Sequence, residues 1–351
     1  MTDTNLTLTH LFQQAQTGLR VFDLGRRIRA LSGDEFLRIE QMQTPYPSPY
    51  LQHAWVALLL LAPENREANA VWFLKLPLDE QGFMIGAVRD DLLARLIRNF
   101  EQHLVSESAE DALKDNPYSF TPSSEKMAIF HALAARETQA PASSHYEAVQ
   151  DYLQSIELDD RWQNLALQGL ADMLIRLDQS DNERLLAKRL HELPQGLEVH
   201  LLSVLEHAQF GPELSQSLER KLQQAIDEGA QDPLQIALIL RALSSQPIGD
   251  NLKTLVALVL ELKMATHPEV LSAIATRCEN WLMDPHILRL FLEALARGDA
   301  GQLGFSRTLA DLMFLPVHRI LIVQTLRQSD ISDTLREATK QMFGTDFRAL
   351  N

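Results

Sequence analysis

From about residue 124 onward, helix-opening signals recur at a nearly constant spacing. Each opening carries a polar capping residue or a nearby proline, which suit the first positions of a helix. The openings fall at Ser124, Asp160, Gln195, Asp232, His267 and Gly301, with gaps of 36, 35, 37, 35 and 34 residues. Each interval has room for two helices. A period in the mid-thirties with two helices per unit predicts an α-solenoid of stacked helical hairpins.

In two of these intervals, the spacing of the apolar residues predicts both helices. Asp232–Ser245 is followed by Asp250–Met264, and His267–Trp281 is followed by Pro285–Arg297. Pro316–Phe343 is predicted to form a terminal capping pair. No unit carries the tetratricopeptide signature or the ankyrin TPLH box, so the nearest repeat class is HEAT-like. A plain all-α bundle is the competing prediction.

The first 105 residues mix helix and strand patterns instead. A short helix is predicted over Leu6–Gln16, strand structure with a bulge or tight turn at Gly25 over Gly18–Leu31, and one or two helical turns over Phe36–Gln41. Two apolar runs flank the tetrapeptide DEQG within Asn69–Val88, which predicts a hairpin. These elements predict a small sheet with helices packed on it, a domain of α+β type.

The stretch PYPSPYLQHAW (Pro45–Trp55) leads into the longest apolar run of the chain, AWVALLLLA. Ser48 and Pro49 suit a helix N-terminus, so we predict a buried helix from Tyr50 to Ala62. The run is much shorter than the ~20 residues of a membrane span. A further amphipathic helix, DLLARLIRNFEQHL, is predicted to begin at Asp90.

The predicted domain organisation follows from these two patterns. Residues 1–105 form the small α+β domain, the polar segment 106–124 is a linker, and residues 125–351 form the helical-repeat domain. The chain is 46% hydrophobic and 23% charged, which is enough apolar material for a buried core. The N-terminus has no basic leader followed by an apolar stretch, and Cys278 is the one cysteine, so we expect a soluble cytoplasmic protein.

The sequence contains no local motif for catalysis or cofactor binding. The patterns GxGxxG, GxxxxGK and GxSxG do not occur, and HEL at His191 does not extend to HExxH. His191, Glu192 and His200 are better explained as helix-cap and surface residues than as metal ligands. Cys278 lies among apolar positions and is predicted to be a buried small side chain. We therefore predict no catalytic residue, no cofactor and no metal site.

Five residues of the first region are the candidate contacts for a partner: Tyr46, Tyr50, His53, Arg26 and Arg27. The arginines lie in the basic cluster RRIR, which suits an acidic partner or a phosphate, although a solvated strand face is the simpler interpretation. The tyrosines and the histidine suit a site beside the predicted sheet. The alternative is structural: the prolines fix the entry to the apolar run, and the tyrosine hydroxyls point to water.

Two other groups of polar residues have simpler explanations. Arg184, Lys188 and Arg189 form a second basic cluster, which is interleaved with acids and is interpreted as a solvated helix face. The adjacent acids Asp79 and Glu80 are assigned to the turn of the predicted hairpin.

Three stretches resemble an uncharacterised family of gammaproteobacterial proteins, a domain of unknown function. They are VFDLGRR (Val21–Arg27), PYPSPYLQHAWVAL (Pro45–Leu58) and WFLKLPLDEQG (Trp72–Gly82). The likeness covers most of the chain. It implies a bacterial cytosolic setting, and it carries no activity, cofactor or functional residue.

These observations favour a non-enzymatic protein–protein interaction or scaffold protein that uses its helical-repeat surface. The net charge of −15 favours a partner with a basic segment. A nucleic-acid-associated repeat protein is one alternative, but residues 1–123 carry −5 and residues 124–351 carry −10, which repels phosphate. An enzyme with a site built from dispersed residues is another, and His53, Asp79 and Arg26 are its first candidates.

Overall fold

The computed structural model describes residues 6–62, 69–102 and 116–345. The chain divides into two compact units, residues 1–126 and residues 127–351, which are described separately below. Most of the predicted linker, residues 106–115, lies outside the described residues, so the predicted domain boundary stays a prediction. Within the described residues, no helix combines the length and the apolar character that crossing a bilayer requires.

The first unit contains a four-stranded antiparallel sheet with strand order β2-β1-β3-β4. Its described elements are α1 (Leu8–Gln14), β1 (Gly18–Asp23), β2 (Arg29–Leu31), α2 (Gly33–Glu40), β3 (His53–Leu61), β4 (Ala70–Pro77) and α3 (Gly86–Gln102). The predicted first helix, the strand structure around Gly25 and the helical turns near Phe36 are confirmed. Helices α1 and α2 pack against β1 and against each other.

The predicted helix from Tyr50 to Ala62 is wrong, because this segment forms the central strand β3. β3 pairs with β1 on one side and β4 on the other, and its residues 56–60 are all buried. A strand that is covered on both faces loses the apolar–polar alternation, so its sequence resembles that of a buried helix. Leu51 and Gln52 both have positive φ, at 49° and 61°, and this tight turn replaces the expected helix start.

The hairpin predicted within residues 69–88 is wrong except for its turn, because the second strand of the hairpin does not form. β4 pairs with β3, and the residues after DEQG form only an isolated bridge, Leu78 to Met84, before α3 begins at Gly86. The turn itself is confirmed, because Gly82 has a φ of 85° and the Asp79 carboxylate accepts the backbone N–H groups of Gln81 and Phe83, each at 2.9 Å. The helix predicted from Asp90 exists and begins four residues earlier.

The second unit, as far as residue 345, contains α-helices and short 3₁₀ helices and no strand. Its α-helices are α4 (Ser124–Glu137, which begins at the end of the first unit), α5 (Tyr146–Gln154), α6 (Leu167–Ile175), α7 (Asn182–Arg189), α8 (Gln195–Leu205), α9 (Pro212–Asp227), α10 (Pro233–Leu243), α11 (Asp250–Glu261), α12 (Pro268–Arg277), α13 (Pro285–Ala296), α14 (Gly301–Met313), α15 (Pro316–Leu326) and α16 (Asp333–Phe343). Short 3₁₀ helices occupy Asp160–Asn164, Lys263–Thr266 and Glu279–Met283. The structure is therefore mostly helical, with one small antiparallel sheet near its N-terminus.

The helices of the second unit contact one another in two rows. One row runs α6, α8, α10, α12 and α14, and the other runs α5, α7, α9, α11 and α13. Each helix in a row packs against the next member of that row. Helices α10 and α12 are also packed against a neighbour from the other row, and α13 to α16 pack together at the end of the chain.

The six predicted openings all coincide with helix starts. Ser124, Gln195 and Gly301 are the first residues of α4, α8 and α14, while Asp160 begins a 3₁₀ helix. Asp232 and His267 are N-caps whose side chains accept the N–H of the second residue after them, and proline follows each. The helix starts are confirmed, and the HEAT-like class of repeat stays a prediction.

Candidate functional site

Arg26, which was interpreted as part of a solvated strand face, is buried in the first unit with 1% of its surface exposed. Its Nε donates to the Pro49 carbonyl at 2.9 Å, and its guanidinium carbon lies 5.8 Å from the centroid of the Tyr50 ring. The solvated interpretation is therefore wrong for Arg26. This side chain joins the VFDLGRR segment to the PYPSPY segment, since Arg26 and Pro49 are 23 residues apart in sequence.

Asp23 is the buried acid of the same cluster and has no exposed surface. Burial raises the pKa of its carboxyl to about 6, although the hydrogen bond from the Gly25 N–H, the nearby Tyr46 hydroxyl, Arg29 and Lys126 act against this rise. The Gly25 N–H donates to Oδ1 at 2.8 Å, and Arg29 Nε lies 3.8 Å from Oδ2. Asp23 is not predicted from the sequence, although an acid at the end of a strand was the available signal.

The two tyrosines of PYPSPY lie in different environments. Tyr46 is 3% exposed, so the expectation that its hydroxyl points to water is wrong; burial, followed by the nearby Asp23, holds its pKa well above the usual range. Tyr50 is half-buried, and its carbonyl accepts the Trp55 indole N–H at 2.9 Å. Lys126 Nζ donates to the Leu24 carbonyl at 2.6 Å and closes the cluster. These contacts hold together the segments that surround the end of β1.

The remaining first-region candidates keep some exposed surface. His53 and Arg27 are half-buried, and His53 Nδ1 lies 2.6 Å from the Leu51 carbonyl. The Asp79 carboxylate already accepts hydrogen bonds from backbone N–H groups of its own turn. The three enzyme candidates, His53, Asp79 and Arg26, are therefore held by different local partners. The buried Arg26 and Tyr46 offer no surface to a partner in this conformation, and the roles of Tyr50, His53 and Arg27 as partner contacts stay predictions.

A second buried polar cluster lies in the second unit around Glu206, the C-cap of α8. Glu206 is 4% exposed; Arg241 Nε lies 2.7 Å from its Oε2, and Arg277 Nε lies 3.0 Å from its Oε1. His207 Nε2 lies 3.0 Å from Oε1. Burial opposes ionisation of Glu206, but His207 and the two arginines hold its pKa well below the usual range.

The residues of this Glu206 cluster recur near the expected period. Arg241 lies in the last turn of α10 and Arg277 in the last turn of α12, so each follows the preceding cluster residue by 35 or 36 positions. Both arginines occupy the same end of a helix in the same row. These residues are not predictable from the sequence, because one acid and two arginines at such distances resemble ordinary surface charges until the helices are aligned.

Polar side chains also join neighbouring helices elsewhere in the second unit. Arg189 was interpreted as part of a solvated face, and this is wrong, because its Nε donates to the Leu153 carbonyl at 3.0 Å and its Nη2 donates to the Ser155 carbonyl. Arg184 and Lys188 are exposed as expected. His318 Nε2 lies 2.7 Å from the Glu279 carbonyl. These contacts act between elements and stabilise the packing.

Within the described residues, no group of three or more His, Cys, Asp or Glu side chains is arranged to hold a metal ion. His191, Glu192 and His200 are exposed. Cys278 is fully buried at the end of α12, where its thiol donates to the Leu240 carbonyl at 3.5 Å, so the prediction of a buried small side chain is confirmed.

The described residues define a mostly helical protein with a small antiparallel sheet near its N-terminus. The chain belongs to the family described as protein of unknown function (DUF3549), whose model matches residues 4–343. The expected membership of a family of unknown function is thereby confirmed, while a gammaproteobacterial source stays an expectation. No curated protein and no solved structure matches the chain.

Proposed function

We propose that this protein is a non-enzymatic interaction or scaffold protein whose second unit is a HEAT-like α-solenoid that binds another protein. The observation that carries the proposal is the packing of α5 to α14 in two rows, in which each helix contacts the next helix of its own row. Repeat proteins contact mainly their sequence neighbours, and their stacked helices present extended binding surfaces.

The Glu206 cluster supports a repeating architecture. Arg241 and Arg277 lie at equivalent ends of α10 and α12 and both bind one carboxylate at the end of α8. Three successive helices of one row, α8, α10 and α12, are thereby joined by buried charges. Such a connection keeps the spacing of the helices constant, which a surface needs if it is to bind an extended partner with little reorganisation.

We assign the partner to the exposed side of α9 and α11, which pack against each other. In contrast, α10 of the other row is buried over residues 236–240. The exposed acids of α9 and α11 and their ends are Glu213, Asp227, Glu228, Asp250 and Glu261. Arg220 is an exposed basic residue on the same pair of helices. This excess of acid favours a partner with a basic segment, whose approach it accelerates. The single buried cysteine fits a reducing compartment such as the cytoplasm.

Affinity purification with matched variants tests this proposal. Tagged protein is crosslinked in the cells from which it comes, and the partners are identified by mass spectrometry. We expect a stoichiometric partner with a basic segment. The triple variant Glu213→Gln, Asp227→Asn, Glu261→Gln should lose most of it, because three charges leave the assigned surface.

The control variant is Glu137→Gln, Asp151→Asn, Glu337→Gln, which changes the net charge equally at exposed positions outside α9 and α11. It should retain the partner. Recovery of the protein alone, or equal loss from both variants, would contradict the assignment of α9 and α11.

A further inference from the structure

A cavity of about 670 Å³ lies in the second unit, between the end of α4, the start of α5 and the turn from α6 to α7. Its wall includes Arg136, Tyr146, Glu147, Arg176 and Gln179, together with the connecting segment 139–144. The volume is that of a small-molecule site. The proposed partner surface on α9 and α11 has no part in this cavity.

Arg176 contributes a buried cation with unused donors to the wall. Only 5% of its surface is exposed, and its Nη1 donates to Asp172 Oδ1 at 2.7 Å. Its Nη2 has no hydrogen-bond partner among the described residues. Leaving a buried charged N–H group unpaired costs free energy on the order of 1–3 kcal/mol or more. This nitrogen has almost no accessible surface. A ligand acceptor that enters the cavity and displaces the atoms covering Nη2 would remove that cost.

Tyr146 contributes a second unused donor to the same wall. Its hydroxyl oxygen accepts from Gln150 Nε2 at 3.0 Å and from Asn182 Nδ2 at 2.8 Å. A tyrosine hydroxyl has one hydrogen to donate, and no acceptor for it is found among the described residues. Asn182 has no exposed surface and is itself fixed by donating to the Arg176 carbonyl at 2.8 Å. The hydroxyl is therefore held in place.

The connecting segment is fixed to the same helices, so the cavity has a defined wall. The Ser143 N–H donates to Asp172 Oδ2 at 3.0 Å, which places both oxygens of that carboxylate in hydrogen bonds. Gly169 lets the segment approach α6 closely, because a Cβ at that position would lie 2.4 Å from the His145 carbonyl oxygen.

The charges around the cavity set the class of ligand. Arg136 lines it and is paired with Asp178 at 2.8 Å, Arg176 is paired with Asp172, and Glu147 is an exposed acid on the wall. Because each arginine already has an acidic partner and Glu147 adds a negative charge, the wall has no excess positive charge. A dianion such as phosphate is therefore not favoured, and a monoanion must be held by hydrogen bonds rather than by net charge. A planar monoanion with two acceptor oxygens matches a guanidinium edge and a phenol.

We propose that this cavity binds a carboxylate group, with Arg176 Nη2 and the Tyr146 hydroxyl donating to its oxygens. The carboxylate belongs either to a free small organic acid or to the C-terminus of a peptide. Both sources share the same recognition, and the experiment below separates them. The cavity adds a ligand site to the second unit, whatever the outcome for α9 and α11.

Isothermal titration calorimetry on the full chain tests this site with acetate, benzoate, inorganic phosphate, and a short alanine–serine peptide with a free or an amidated C-terminus. We expect saturable binding of a carboxylate at up to millimolar concentration. Tight binding of the free peptide and none of the amidated one identifies a C-terminus, whereas binding of benzoate or acetate alone identifies a free acid.

The variants Tyr146→Phe and Tyr152→Phe separate recognition from stability. Both lie on α5, but the Tyr152 hydroxyl donates to the Asp159 carbonyl at 2.8 Å and Tyr152 does not line the cavity. Y146F should raise the Kd of the bound carboxylate about tenfold, the loss of one hydrogen bond to a charged group. Y152F should leave it unchanged.

Three outcomes would overturn the proposal: no carboxylate binds, phosphate binds more tightly than every carboxylate, or Y146F and Y152F weaken binding equally. Circular dichroism verifies that each variant is folded. If Y146F does not fold, Arg176→Lys serves instead, since it keeps a cation beside Asp172 and removes the Nη2 donors; unchanged binding by that variant would equally overturn the proposal.

Discussion

At the scale of single residues, the first unit carries an electrostatic cost at the buried acid Asp23. A carboxylate without exposed surface is ionised only against the penalty of burial, and this penalty outweighs the Gly25 N–H, the Tyr46 hydroxyl and the neighbouring cations. Because Arg26 binds the Pro49 carbonyl and Lys126 binds the Leu24 carbonyl, the side chains of this cluster hold the loops around Asp23 together. We interpret Asp23 as a structural acid.

The variant Asp23→Asn tests this interpretation through pH. The folded pKa of about 6 lies above the ordinary value, so the folded state retains the proton longer and wild-type stability falls as pH rises from 4 to 7. Asparagine lacks this titration and keeps an oxygen for the Gly25 N–H. Relative to wild type, D23N should therefore gain about 2 kcal/mol of unfolding free energy between pH 4 and pH 7.

Hydrogen exchange of peptides from β1 and β3 measures this free energy, and Asp34→Asn, an exposed acid on α2, is the control. A difference between D23N and wild type that stays constant with pH would show that Asp23 is not the titrating group.

At the scale of elements, the second unit depends on contacts between helices of one row. The Glu206 cluster is the clearest case, since one buried carboxylate pairs with arginines from two later helices of the same row, α10 and α12. Removing one partner of a buried ion pair leaves the other charges uncompensated, which is more costly than the net stability of the pair itself.

The variant Glu206→Gln should lower the free energy of unfolding at pH 7 by about 3–5 kcal/mol. In the folded wild-type protein the pKa of Glu206 lies below its ordinary value. The stability that the ionised carboxylate contributes is therefore present above about pH 4.5 and is lost as pH falls below it. The deficit of E206Q should therefore shrink at pH 3. Urea denaturation monitored by circular dichroism measures it, and Glu269→Gln, an exposed acid on α12, should change little. A deficit that is equal at both pH values would contradict the ion-pair account.

The elements also show how far the sequence determines the fold. Helix openings at Asp232 and His267 were predictable because a cap followed by proline is a local signal. The strand β3 was not, because its apolar run reflects burial on both faces, which depends on β1 and β4. The Glu206 cluster and the Arg176 cavity likewise depend on residues about 30 or more positions apart. Sequence spacing shows where helices begin and leaves open which side chains meet.

At the scale of the whole molecule, the two units differ in kind. The first has a sheet braced by buried charges, while the second has two rows of helices with exposed acids on α9 and α11. Residues 124–351 carry −10 of the total charge of −15. An interaction that uses this charge should weaken as salt rises, because ions screen exposed charges within about 8 Å at physiological ionic strength.

The most direct test of the proposed function is site-specific photo-crosslinking from the assigned surface. A photoreactive amino acid replaces Gln216, which is exposed on α9, and in a matched variant it replaces Gln341, which is exposed on α16. We predict that position 216 captures one partner through a basic segment, that higher salt reduces the yield, and that position 341 captures none. No crosslinked protein at position 216, or the same protein at both positions, would contradict the account.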